Sequence, residues 1–121
     1  MGRDVLAEDY SRAQVGAGGL RREVGAALDG LDGLVLPTVP ITAQPIGSTG
    51  LIIGDRSYPV RTLMLRLTQL FDITGHPAIS VPCGRSKDNL PVGLQLVGRH
   101  GRTEDLLTLA ATCEDVIGQR G

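Results

Sequence analysis

Two short apolar runs, LVL at 34–36 and AISV at 78–81, constrain this chain most. Neither alternates apolar with polar residues, and prolines hem both in, at Pro37 and at Pro77 and Pro82. Uniformly apolar runs of this length are the pattern of strands buried on both faces, which need helices above and below and neighbours along both edges. The remaining sequence supplies few strands to meet that demand. One more, VGLQLVG at 92–98, follows the polar connection CGRSKDNLP, a length that suits antiparallel neighbours. The layout is therefore α/β or α+β, with a sheet of three or four short strands that reads as part of a larger one.

Helices are legible from their period. Leu6, Tyr10, Ala13, Ala17, Leu20, Val24, Leu28 and Leu31 keep three-and-four spacing, which predicts a helix over 5–31. Gly16, Gly18 and Gly19 sit in its middle, each costing about 1 kcal/mol against Ala, so a kink, or two helices meeting, is expected there. Val60, Leu63, Met64, Leu67, Leu70 and Phe71 predict a second helix, with Pro59 at its first position and Gly75 and Pro77 ending it. Leu106, Ala110, Cys113 and Ile117 are the inner face of a last helix that starts with Thr103 as N-cap. Between the first two helices, Pro37, Pro40 and Pro45 space an extended stretch, and 51–60 reads as a small ribbon around Gly54-Asp55.

Composition excludes several classes of function. Twelve basic against thirteen acidic residues give a net charge of −1, so no electrostatic footprint for nucleic acid exists. Two tyrosines and one phenylalanine are too few for a base-stacking platform. No apolar run approaches the roughly 18 residues of a membrane span, which argues against a membrane partner. Cys83 and Cys113, thirty residues apart, form neither a disulfide framework nor, with two lone histidines, a metal site. Reduced thiols and the absence of an apolar leader at 1–14 place the expectation in the cytoplasm. No cofactor or metal is expected.

Asp72, His76 and Ser80 stand four residues apart in FDITGHPAIS and name the three side chains of a hydrolase triad. That spacing aligns them only on one continuous helix. Gly75 and Pro77 break such a helix, and AISVP has strand character. Ser80 also lacks the Gly-x-Ser-x-Gly elbow that exposes a nucleophile. The expectation is no triad: Asp72 and Thr74 satisfy backbone groups at a helix end, His76 is a loop residue, and Ser80 is a small, hydrogen-bonded strand residue.

GHPAISVPCG at 75–84, followed by LPVGLQLVG at 90–98, resembles the C-terminal part of the amidase signature hydrolases. A helix running into LVLPTVP at 34–40, the passage RLTQLFDITGHPA at 66–78 and the final helix are similar to that family in order and spacing, from Tyr10 to Ile117. The resemblance implies an α/β/α sandwich around a mixed sheet, and hydrolysis of a carboxamide through an acyl-serine without a cofactor. The family's nucleophile lies in a Gly/Ser-rich segment upstream of the portion matched here, and none of the 121 residues repeats it. The only lysine is Lys87, in the polar connection. No residue inherits a catalytic role, and residues 1–121 read as a single partial domain.

What the resemblance implies instead is a pocket wall: Thr38, Asp72, Thr74, Gly75 and His76 are the candidate substrate-binding residues. The tRNA-dependent amidotransferase branch carries an acidic recognition residue at the place of Leu65, so a less polar amide substrate is implied. The partner call follows from this: a small-molecule amide, bound only when an N-terminal amidase segment completes the domain. The alternative is a non-catalytic, truncated α/β protein that self-associates as a homo-oligomer or docks on another chain through its open strand edges.

Overall fold

A computed structural model describes residues 2–118. After a short 3-10 turn at Gly2–Asp4 come α1 (Ala7–Ala27), β1 (Leu34–Pro37), β2 (Gly50–Ile53), β3 (Arg56–Pro59), α2 (Val60–Leu65), α3 (Gln69–Thr74), β4 (Ala78–Arg85), β5 (Pro91–Val97) and α4 (Thr103–Gly118). Three strands form one sheet in the order β1-β5-β4, and β2 and β3 form a separate hairpin. Both pairings of β5 are antiparallel: Val97 stands between Leu34 and Ala78, and Gln95 between Leu36 and Ser80. β5 is thus the central strand, and β1 and β4 are both edges.

Period-two alternation sorts the side chains onto two faces. Val81 and Leu96 join Leu106 and Ala110 of α4, with Ile79, Leu94, Leu109 and Cys113 packed around them. On the opposite face, Val97 meets Val24, Leu28 and Phe71 from α1 and α3, with Leu34 and Leu36 alongside. Helices therefore lie on both sides of the sheet, as an α/β/α sandwich requires. Each fully buried Leu or Val contributes about 1.5–3 kcal/mol.

Coverage is incomplete where the sequence predicts burial on both faces. Val35 of β1 is 62 % exposed, and Ala78, Ser80 and Pro82 of β4 are exposed as well. Helix α4 reaches β4 and β5 but leaves Val35 bare, and α1 and α3 cover only the Val97 end of the other face.

Several boundaries differ from expectation for identifiable reasons. The three glycines in α1 do not interrupt it; the helix runs unbroken for 21 residues. Its first half packs on nothing, so Leu6 and Tyr10 of the expected apolar stripe are exposed and only Val24 and Leu28 reach the core. The single second helix is instead two, α2 and α3. The carbonyl of Leu67 between them accepts a hydrogen bond from Gln95 Nε2 at 3.2 Å, a tertiary contact no local signal announces. Pro59 ends β3 in an extended conformation and caps α2 from outside. Strand β4 extends past Pro82 through a bulge at Cys83, which leaves Pro82 opposite Gly93 and Gly84 opposite Val92. Thr103 is the first helical residue of α4, not its cap: the first i→i−4 bond runs from Leu106 N–H to the Arg102 carbonyl.

Candidate functional site

The uncovered end of the sheet carries hydroxyls. Thr38 follows β1 directly, and its N–H donates to the Gly93 carbonyl at 3.0 Å, which holds it against β5. Ser80 points to the same face from β4, because Ile79 and Val81 on either side point into the α4 core. The two hydroxyls, Thr38 Oγ1 and Ser80 Oγ, meet at 2.6 Å across the strand between them. They can meet because that strand carries glycine. A Cβ at Gly93 would lie 2.6 Å from Ser80 Oγ and 2.8 Å from Thr38 Oγ1, inside contact distance of both. Gln95, two residues along β5 and buried, continues this polar row towards the α2–α3 junction.

Beside the row lies a groove of about 380 Å³ lined by Val39, Pro40, Ile41, Met64, Val92 and Gly93, mostly apolar. The arrangement offers one polar point, a hydroxyl pair that can both donate and accept, next to an apolar trough. Sites for small organic ligands are commonly built this way.

A second cluster forms where α3 turns into β4. Gly75 ends α3 in the left-handed region at φ 71°, and its N–H donates to the Phe71 carbonyl at 2.8 Å. Thr74 is fully buried, and its Oγ1 shares a hydrogen bond of 2.9 Å with Nδ1 of buried His76. Arg21 of α1 donates from Nε to the Thr74 carbonyl at 2.7 Å, satisfying an orphan acceptor at the end of α3. His100 stands edge-on to His76, ring centroids 5.8 Å apart. Burial, then repulsion from His100 and Arg21, holds the His76 imidazole below its usual 6.5.

Of the five residues expected in a pocket wall, the structure thus groups Thr74, Gly75 and His76 and places Thr38 with Ser80, the third residue of β4. Asp72 is exposed on α3. The triad geometry is absent, as expected. His76 and Ser80 are four residues apart on a chain that rises roughly 3.3 Å per residue, and their partners are Thr74 and Thr38 respectively. The expectation that Asp72 bonds backbone groups is not met: among the described residues its side chain makes no hydrogen bond. Gly93, Gln95, Arg21 and His100 were not read from sequence as site residues. For Ser80 and Gln95 the signal existed: alternation of β4 and β5 against their apolar neighbours places both on the face opposite α4.

Comparison with known proteins agrees with this architecture. The Amidase family model matches residues 2–107. A fatty acid amide hydrolase of Arabidopsis thaliana is 36 % identical over 118 residues, which is 94 % of this chain and 19 % of that protein. The crystal structure of an amidase superimposes with a TM-score of 0.87 at 32 % identity, over 94 % of this chain and 26 % of its own. A protein from a vestigial complex linked to the origins of an s-triazine catabolic enzyme gives a TM-score of 0.83 at 28 % identity, over 95 % of this chain and 25 % of its own. The chain spans about a fifth to a quarter of these relatives. With the family model matching most of its length and the fold matching over nearly all of it, this chain belongs to the amidase family.

Proposed function

We propose that residues 1–121 form one partial domain, the C-terminal segment of an amidase that hydrolyses a carboxamide through an acyl-serine. The nucleophile comes from a Gly/Ser-rich segment that these residues do not contain, and the chain by itself is inert. One observation carries this reading: the sheet is finished on the α4 side and left half-bare on the other, where Thr38 and Ser80 present paired hydroxyls beside an apolar groove. A bare, polar-tipped sheet face is costly in a complete domain, since apolar side chains such as Ala78 and Pro82 stay in water. It is what remains when the covering layer belongs to another segment.

In the completed enzyme Thr38, with Ser80 beside it, contacts the substrate, and the apolar groove takes its less polar portion. Asp72, Thr74, Gly75 and His76 belong to the same wall further along; Thr74 and His76, buried and bonded to each other, shape it. The chemistry needs a nucleophile and donors aimed at the developing oxyanion, and this segment contributes positioning. Mixing the chain with an N-terminal amidase segment tests the reading. Amide hydrolysis only in the mixture, with kcat/KM reduced by Thr38→Val, is the expected result; hydrolysis by the chain alone overturns it.

A second reading, a non-catalytic α/β protein, is favoured by the exposed outer edges of β1 and β4: the chain pairs through them with a second copy or another chain. Sedimentation of a compact monomer at high concentration excludes the homo-oligomer.

A further inference from the structure

Opposite the hydroxyl pair, at the α3–β4 turn, lies a second groove of about 310 Å³, lined by Arg21, Asp29, His76, Arg99 and His100 together with Gly25 and Leu28. Its charge is unbalanced. Two permanent cations face one carboxylate, and among the described residues neither Arg21 nor Arg99 has an acidic side chain within 4.0 Å. Both guanidinium groups are tied down by backbone carbonyls. Arg21 Nε donates to Thr74, and one terminal nitrogen of Arg99 donates to Leu31 at 3.0 Å. Each is thereby held in place with other N–H groups still free.

Two of the free donors converge. Arg21 Nη2 and His100 Nε2 lie 3.5 and 3.4 Å from the point where a side chain on Gly75 would begin. Glycine leaves that point open, so both nitrogens close over a bare Cα at the groove's mouth. His76, whose imidazole is held below its usual 6.5 first by burial, lines the groove beside them. Fixed, unpaired guanidinium N–H groups beside an imidazole are the donor set that recognises oxyanions, which accept from several N–H groups at once.

We propose that this groove binds a small oxyanion, phosphate or carboxylate, through Arg21, Arg99 and His100. It borders the proposed substrate wall at Gly75 and His76, but its test reads anion binding and not amide hydrolysis, so either reading can fail without the other. Calorimetric titration of the full chain with inorganic phosphate, and separately with acetate, at constant ionic strength tests the proposal. The expected result is saturable binding of at least one probe, and which binds more tightly distinguishes a phosphate site from a carboxylate site. His100→Leu removes a ring N–H that makes no hydrogen bond within the described residues, and is expected to weaken binding roughly fivefold. Asp29→Asn is expected to strengthen it. Neither probe binding more tightly than chloride, or both variants binding as the unaltered chain does, overturns the proposal.

Discussion

One sheet has two unlike faces. On the α4 side, Val81 and Leu96 are sealed beneath Leu106 and Ala110, with Ile79 and Leu94 beside them, while Val35 at the β1 edge of this face lies bare. On the opposite side, burial is confined to the Val97 end, where α1 and α3 supply Val24, Leu28 and Phe71. Beyond Gln95 the side chains become Ser80, Thr38 and the bare Gly93, and no helix follows. The first face does what a core does, exclude water. The second is half core and half open, hydroxyl-tipped surface, and the change occurs within two residues along β5. The proposed site sits where hydrophobic cover stops.

The largest effect should come from the finished face. Leu96→Ala empties a side chain with no exposure at the centre of the sheet, and should cost about 2–5 kcal/mol by urea denaturation. Leu28→Ala tests the sealed end of the other face and should fall in the same range. If Leu28→Ala were instead nearly neutral, that face would not be a core at any point.

Next, Gly93→Ala forces a methyl into the space between two hydroxyls and should cost about 1–3 kcal/mol. Pairing it with Ser80→Gly should recover part of that loss, because Ser80 Oγ is the nearest obstruction. Equal stabilities of the single and double variants would mean that the Thr38–Ser80 pairing does not set the geometry of the open end. Gly75→Ala places a side chain at φ 71° and should cost about 1–2 kcal/mol, enough to separate a required left-handed turn from a tolerant one.

A smaller effect is pH-dependent. His76 is held below 6.5 first by burial, then by His100 and Arg21. The unfolded chain therefore takes up this proton before the folded chain does. Stability should fall as pH drops below 6.5 towards the folded-state value and be independent of His76 above that window. Asp29, Arg99 and His100 border the same groove, so the diagnostic is the difference between the unaltered chain and His76→Gln, in which this component of the slope should vanish. An unchanged slope would assign it elsewhere. The smallest effect should be at the exposed Arg12–Glu8 pair of α1, far from either face, where Arg12→Ala should change stability by less than about 0.5 kcal/mol.

Legibility followed the same division. Apolar runs bounded by prolines located β1 and β4, the apolar run after the polar connection located β5, and period 3.6 located α4, because sequence records these signals directly. The family resemblance likewise rested on the strands and turns that hold the sheet. The α2–α3 break was not legible, since it depends on Gln95 reaching Leu67 across 28 positions. The unbroken α1 was misread because its glycines meet nothing that would exploit their freedom. Thr38 was reached only through resemblance; its pairing with Ser80 needs the register of three strands at once.

The central claim is that this segment completes an amide-binding face but carries no nucleophile. Release of amine or ammonia from a panel of small amides, by the chain with and without an N-terminal amidase segment, tests it most directly. The account predicts no turnover by the chain alone and turnover in the mixture. Turnover by the chain alone, lost on Ser80→Ala, would contradict it and return Ser80 to the role of nucleophile.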